Sequence, residues 1–134
     1  MTGAAAAPRR IELKAERDIA AARSAVSRAC DELQASALRK VRFVTAVSEI
    51  ARNALEHGGG GTLEISASRA PRRIAVLCHD NGPGILDIDQ AMRDGFTTAG
   101  SMGKGLGGAR RLVDRFEIRN RPEGGVEVRM SSQV

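Results

Sequence analysis

The sequence predicts a two-layer α/β sandwich: a mixed, mostly antiparallel sheet with its helices on one face. Three observations predict it. Residues 19–33 and 36–57 carry apolar side chains at helical spacing, one stretch directly after the other. Several short segments alternate apolar and polar residues with the period of a strand. Glycine or proline clusters stand between these segments.

The elements follow in order. Residues 9–15 alternate (Ile11, Leu13 and Ala15 against Arg10, Glu12 and Lys14), which suits an edge strand, and residues 1–8 read as a disordered tail ahead of one domain over 9–134. Asp18 reads as the N-cap of a helix over 19–33 with apolar positions 19, 22, 26, 29, 30 and 33. Ser36 caps a longer helix to His57, whose inward stripe is Val41, Val44, Val47, Ile50, Ala51, Ala54 and Leu55. Gly58 to Gly61 stop it. Leu63, Ile65 and Ala67 mark the next strand and Ile74, Val76 and Cys78 the one after. Residues 86–104 read as a loop-rich insertion, 106–114 as a helix, and 116–120 with 126–130 as a hairpin around Pro122-Glu123-Gly124-Gly125.

Composition excludes several classes. The chain has 134 residues, enough for one ordinary domain and too few for two. With three Phe, no Trp and no Tyr, the core must be aliphatic. No run reaches the roughly 18 apolar residues of a membrane span, and the alanines at 4–7 lack the basic leader of a signal peptide, so a cytoplasmic protein is expected. Cys30 and Cys78 are too few for a disulfide framework and read as buried hydrophobes. The net charge of +5 raises nucleic acid as a partner. The basic residues are scattered, however, with no aromatic side chains between them to stack bases, so a solvated surface, or one that meets an acidic protein partner, is expected instead and no nucleic acid.

Three segments carry chemistry. Thr45, Glu49, Asn53 and His57 are spaced by four and share one stripe of the second helix. Most such stripes simply face water. The spacing also lets Asn53 offer its amide oxygen to Mg²⁺, while Glu49, one turn back, accepts a proton from a hydroxyl or water. Arg52 reads as the ion-pair partner of Glu56 or a surface residue. Asp80 follows Ile74, Val76 and Cys78 at period two and so points to the core side, where it requires a donor; the exocyclic amine of adenine is one, and a turn-capping role is the other reading. Gly82 and Gly84 permit close backbone approach or positive φ. Gly103-Lys104-Gly105-Leu106-Gly107-Gly108 runs straight into a helix and offers free N–H groups and a helix dipole to phosphates. It has neither the spacing of a Walker A loop nor the preceding strand of a dinucleotide fingerprint.

Taken in order, these segments resemble the GHKL superfamily of ATPases and kinases. Glu49-x-x-x-Asn53 resembles its N-box, Asp80-x-Gly82-x-Gly84 its G1 box and Gly103-x-Gly105-x-Gly107 its G2 box, with an ATP lid between the last two. The resemblance covers about residues 9–131. Sensor histidine kinases often carry Asn where this chain has Glu49, whereas Glu suits a Ser or Thr hydroxyl. The chain has no phosphoacceptor helix pair and no room for a transducer domain. Closer still, Asp18-Ile19-x-x-Ala22-Arg23, residues 45–53, Met92-Arg93-Asp94-Gly95-Phe96-Thr97-Thr98 and residues 105–116 are similar to the anti-sigma-factor type of serine kinase, in particular the switch kinases of bacterial stressosomes.

That resemblance implies a Bergerat-type ATP-binding fold and a protein Ser/Thr kinase using ATP and Mg²⁺. Glu49 is then the base or hydroxyl-positioner, Asn53 the Mg²⁺ ligand, Asp80 the adenine reader and Gly105 to Gly108 the phosphate cradle, with Gly103 and Lys104 beside it; Thr97 and Thr98 organise the lid. It also implies a STAS-domain substrate and a second partner, a PP2C-type phosphatase or a sigma factor. Homodimerisation is left open. A nucleotide-controlled anti-sigma factor that mainly sequesters its partner is the alternative, and an uncoupled ATPase a third.

Overall fold

The period-two segments of the sequence become one five-stranded sheet and the helical-period segments its cover. The computed structural model describes residues 8–93 and 105–134. In chain order these form β1 (Arg9–Leu13), α1 (Glu16–Glu32), α2 (Ala37–Gly58), β2 (Gly61–Arg69), β3 (Arg72–Asp80), α3 (Ile88–Ala91), α4 (Gly105–Leu112), β4 (Arg115–Asn120) and β5 (Val126–Gln133). The sheet order is β1-β2-β3-β5-β4, with β1 at one edge as expected. Where a mixed, mostly antiparallel sheet was expected, all four described pairings are antiparallel. Residues 1–7 of the expected tail, and residues 94–104 of the insertion, lie outside the described residues.

One core, aliphatic except for Phe43, lies between the sheet and the helices. Ile19, Ala22, Val26 and Cys30 of α1 and Phe43, Val47, Ile50 and Ala54 of α2 meet Leu63, Ile65, Ile74, Val76, Val128 and Met130 of the strands. Three assignments on α2 change. Val41 is 59% exposed, and Phe43 and Ala46 take the inward positions. At 100° per residue Val41 stands about 200° from Phe43, so a stripe centred on 43, 47, 50 and 54 leaves it facing water.

The helix ends follow local chemistry. Ser36 caps α2 as expected, accepting the N–H of Arg39 at 3.2 Å. Gly59 takes φ +72 beyond the last turn, and the N–H of Gly60 returns to the carbonyl of Ala54 at 3.0 Å. Asp18 is not the N-cap of α1. The cap position is Ala15, and Asp18 is the third helical residue, reaching back to accept the N–H groups of Lys14 (2.8 Å) and Ala15 (2.9 Å). Those two bonds hold its carboxyl below the usual range. Arg52 pairs with Glu16 at 3.0 Å instead of Glu56, tying α2 to the first turn of α1. Within the segment expected to be loop, Asp87 accepts the N–H of Gln90 at 3.0 Å and starts the short α3. α4 ends at Leu112, two residues early, and β5 runs to Gln133, three residues late.

Both cysteines are free and buried. Burial first, and the charge of Asp80 second, push the Cys78 thiol up to about 12; burial raises Cys30 to about 11. Neither is a nucleophile near neutral pH.

Candidate nucleotide-binding site

β3 lies inside the sheet, flanked by β2 and β5, and carries Asp80 to its end. Ile74, Val76, Cys78 and Asp80 are all buried, so the alternation does deliver the acid to the core side. A buried carboxylate must be hydrogen-bonded. Asp80 Oδ1 accepts two backbone N–H groups, from Gly82 at 2.9 Å and Val126 at 3.2 Å. Oδ2 takes neither bond and is the oxygen left to accept from a ligand.

The end of α2 abuts this acid. A Cβ on Gly58 would lie 2.5 Å from Asp80 Cβ and 2.7 Å from its Oδ1, and a Cβ on Gly82 would lie 2.6 Å from Gly58 Cα. Gly82 is therefore required for contact with Gly58 and not only for approach to a ligand. Gly84 has φ +88, the left-handed region that its lack of Cβ permits.

Two side chains from the β4–β5 hairpin brace the turn from behind. Asn120 Oδ1 accepts the N–H of Ile85 at 2.8 Å, and its Nδ2 donates to the Ile85 carbonyl at 2.9 Å. Arg121 Nη1 donates to the Asp80 carbonyl at 2.9 Å and to Asn81 Oδ1 at 3.3 Å. Sequence reasoning missed both, along with Gly58. Asn120 and Arg121 precede Pro122-Glu123-Gly124-Gly125 and read as turn residues; only the pairing of β5 with β3 brings them to Asp80.

Glu49 and Asn53 lie half-buried on α2, neither with a hydrogen bond or ion pair among the described residues. Asn53 precedes Gly58 by five residues, about 7.5 Å of helix rise, and Glu49 by about 6 Å more. From Asp80 the polar groups thus run in one line along α2. α4 packs on α2 and begins at Gly105 with φ +49; Leu106 and Gly107 are buried and Gly108 is half-buried. Arg42 Nη2, donating to the Arg111 carbonyl at 3.1 Å, ties the far end of α4 to α2. The first N–H groups of α4 have no intrahelical acceptor and sit at its positive end. Gly103 and Lys104 lie outside the described residues, as do Thr97 and Thr98. Of the remaining stripe, Thr45 donates its hydroxyl to the Val41 carbonyl at 2.8 Å and His57 is exposed.

No group of three His, Cys, Asp or Glu that could hold a metal occurs among the described residues. The donors fit instead a hard cation bound chiefly through a ligand's phosphates with one amide oxygen from Asn53. Chemically, the arrangement offers a buried acceptor oxygen, an amide oxygen, a carboxylate and a helix N-terminus in sequence.

Comparison with known proteins agrees with this geometry. A family model described as a histidine kinase-like ATPase domain matches residues 11–132. The chain is 37% identical over 120 residues to the serine/threonine-protein kinase RsbT of Bacillus subtilis, covering 88% of this chain and 90% of that protein. It is 33% identical over 96 residues to the anti-sigma F factor of Thermoanaerobacter sp., 67% of each chain. Among solved structures, the RsbU and RsbW domains of Rv1364c from Mycobacterium tuberculosis superpose with a TM-score of 0.68 at 19% identity, over 96% of this chain and 32% of that one. The SiaB–SiaC complex from Pseudomonas aeruginosa gives 0.58 at 12% identity, over 98% and 92%. At these identities the two structures speak for the fold alone.

Proposed function

The chain belongs to the family of histidine kinase-like ATPase domains and is an ATP-using serine/threonine-protein kinase; from that premise we propose that residues 9–134 form a catalytic domain phosphorylating a Ser or Thr hydroxyl on a STAS-domain partner within a bacterial partner-switching system. The observation that carries the reading is Asp80: its Oδ1 is occupied by two backbone N–H groups, and its buried position leaves Oδ2 for the exocyclic amine of adenine.

The roles follow from the line of groups along α2. With the base at Asp80, the N–H groups of Gly105, Leu106, Gly107 and Gly108 take phosphate oxygens, and Gly103 and Lys104, which precede them in the sequence, are assigned to the same phosphates, Lys104 by its charge. Asn53 is the residue that would hold Mg²⁺ by its amide oxygen, and the ion would supply charge neutralisation on the phosphates. Glu49 orients the acceptor hydroxyl and takes its proton as the oxygen bonds to the γ-phosphorus, while the bond from that phosphorus to the β–γ bridging oxygen breaks and ADP leaves. Gly82 and Gly84 shape the turn against which the base rests. Positioning and electrostatics supply most of the rate.

The second half of the proposal is a switch, in which the kinase exchanges its substrate for a PP2C-type phosphatase that it activates by binding. The 33% identity to an anti-sigma factor favours a second reading, sequestration of a sigma factor under nucleotide control. No helix among the described residues is long and apolar enough to cross a membrane, and we place the activity in the cytoplasm.

The test is transfer of labelled γ-phosphate from Mg·ATP to a candidate STAS-domain protein. Incorporation into Ser or Thr supports the kinase reading. Nucleotide binding with no transfer to any STAS-domain protein, together with capture of a sigma factor, would replace it by the second.

The hairpin brace makes its own prediction. Asn120→Ala removes two hydrogen bonds that hold Ile85, so the KM for ATP rises about tenfold while kcat stays within about twofold. Steady-state kinetics separate the two constants. A fall in kcat at unchanged KM would show that the loop affects chemistry and not nucleotide docking.

A further inference from the structure

Single exposed apolar side chains are ordinary on a protein surface, but neighbouring ones rimmed by charge mark a contact site. Three large apolar side chains are exposed among the described residues: Leu38, Val41 and Leu86. The first two are neighbours one turn apart on α2, the helix that carries Glu49. At 100° per residue Leu38, Arg42 and Thr45 fall within about 40° of Glu49 around that helix. Along its axis Arg42 lies about 10 Å from Glu49 and Leu38 about 16 Å, both on the side away from Asn53, Gly58 and Asp80. Leu38 also lines a hollow of about 240 Å³ with Arg39, Arg42, Leu112, Val113, Asp114 and Ser132.

The charge around this patch is mostly of one sign. Arg39 and Arg42 stand on it. Arg110 and Arg111 are exposed in the last turn of α4, which Arg42 ties to α2. Asp114, 3.9 Å from Arg39, is the acid that lines the hollow.

We infer that this end of α2, together with the end of α4, is where the phosphate-accepting protein docks. Leu38 and Val41 cover an apolar patch on that protein, and the arginines meet carboxylates around it. The inference rests on the kinase reading and adds to it a contact surface and its chemistry. In that reading the nucleotide runs from Asp80 toward Glu49, so the acceptor reaches Glu49 from the opposite direction. A folded protein with its hydroxyl at Glu49 then extends over Thr45, Arg42 and Leu38. An apolar centre within a polar rim is the anatomy of a protein interface, and complementary charge there speeds encounter and selects the partner. Other occupants fit less well. A nucleic acid would satisfy the arginines and leave Leu38 and Val41 in water. A second copy meeting this patch with its own would bring two basic surfaces together, which is costly.

The test uses a STAS-domain protein that accepts phosphate from the wild type, with steady-state kinetics in acceptor and in ATP. Leu38→Asp and Val41→Asp each raise the KM for the acceptor about tenfold or more and leave the KM for ATP within about twofold. Both variants keep the wild-type melting temperature, because the side chains they replace already face water. Leu38→Met stays apolar and keeps the wild-type constants. Added salt raises the acceptor KM of the wild type, as a charged rim requires. An unchanged acceptor KM in both Asp variants, with the wild type still transferring, overturns the docking surface and leaves the kinase reading standing. A lower kcat at unchanged acceptor KM does the same, since the patch would then act on chemistry and not on docking. A wild-type dimer that Leu38→Asp turns into monomer assigns the patch to a second copy and also overturns the proposal. A wild type that transfers to no STAS-domain protein brings down the kinase reading and this surface with it.

Discussion

Glu49→Ala is expected to bind Mg·ATP within about twofold of wild type and to transfer phosphate about 10²- to 10⁴-fold more slowly, the range a positioned general base contributes. The separation follows from the geometry. Glu49 lies about 13.5 Å along α2 from Gly58 and the Asp80 turn, too far to touch the base of a nucleotide seated there. It has no partner among the described residues, so its removal breaks no bond that holds α2 in place. Calorimetric titration with ATP and a γ-phosphate transfer assay on the same preparation measure the two effects. Glu49→Gln should transfer as poorly as Glu49→Ala, because its amide orients a hydroxyl without accepting the proton. If binding and transfer fall together, Glu49 is structural. If Glu49→Gln retains most of the activity, it positions the hydroxyl and another group takes the proton.

Much of this fold was legible because the patterns that specify it are local. The alternation through Ile74, Val76, Cys78 and Asp80 needs only the geometry of a strand to predict which face the acid takes, and the Ser36 cap and Gly58-to-Gly61 stop need only helix-end chemistry. What could not be read depended on topology. Nothing near Asn120 or Arg121 in sequence says that β5 will lie beside β3, yet that pairing supplies the N–H of Val126 to Asp80 and both braces of the turn. Gly58 shows the same limit. Read locally it ends a helix; in the fold its missing Cβ is also what lets α2 reach the carboxylate. The exchange of Val41 for Phe43 on the inward face had a different cause, since both fit an apolar stripe and only the orientation of α2 against the sheet selects one.

Asp80→Asn should reduce ATP affinity about ten- to a hundredfold while leaving the fold intact, and the reason lies in how the carboxylate is held. The N–H groups of Gly82 and Val126 both require an acceptor at the Oδ1 position. An asparagine must therefore place its oxygen there, which satisfies both donors and keeps the melting temperature of the nucleotide-free protein close to wild type. Its NH₂ is then forced into the Oδ2 position, where it meets the exocyclic amine of adenine donor to donor. The variant loses a charge-assisted hydrogen bond and gains a repulsive contact. Guanine presents a carbonyl oxygen at the corresponding place, so the preference for ATP over GTP should shrink or reverse even as total affinity falls. Binding of the two nucleotides to wild type and variant, measured side by side, separates this from general damage to the site. Equal losses for ATP and GTP would mean that Asp80 shapes the pocket without reading the base, and unchanged ATP binding would remove it from the site altogether.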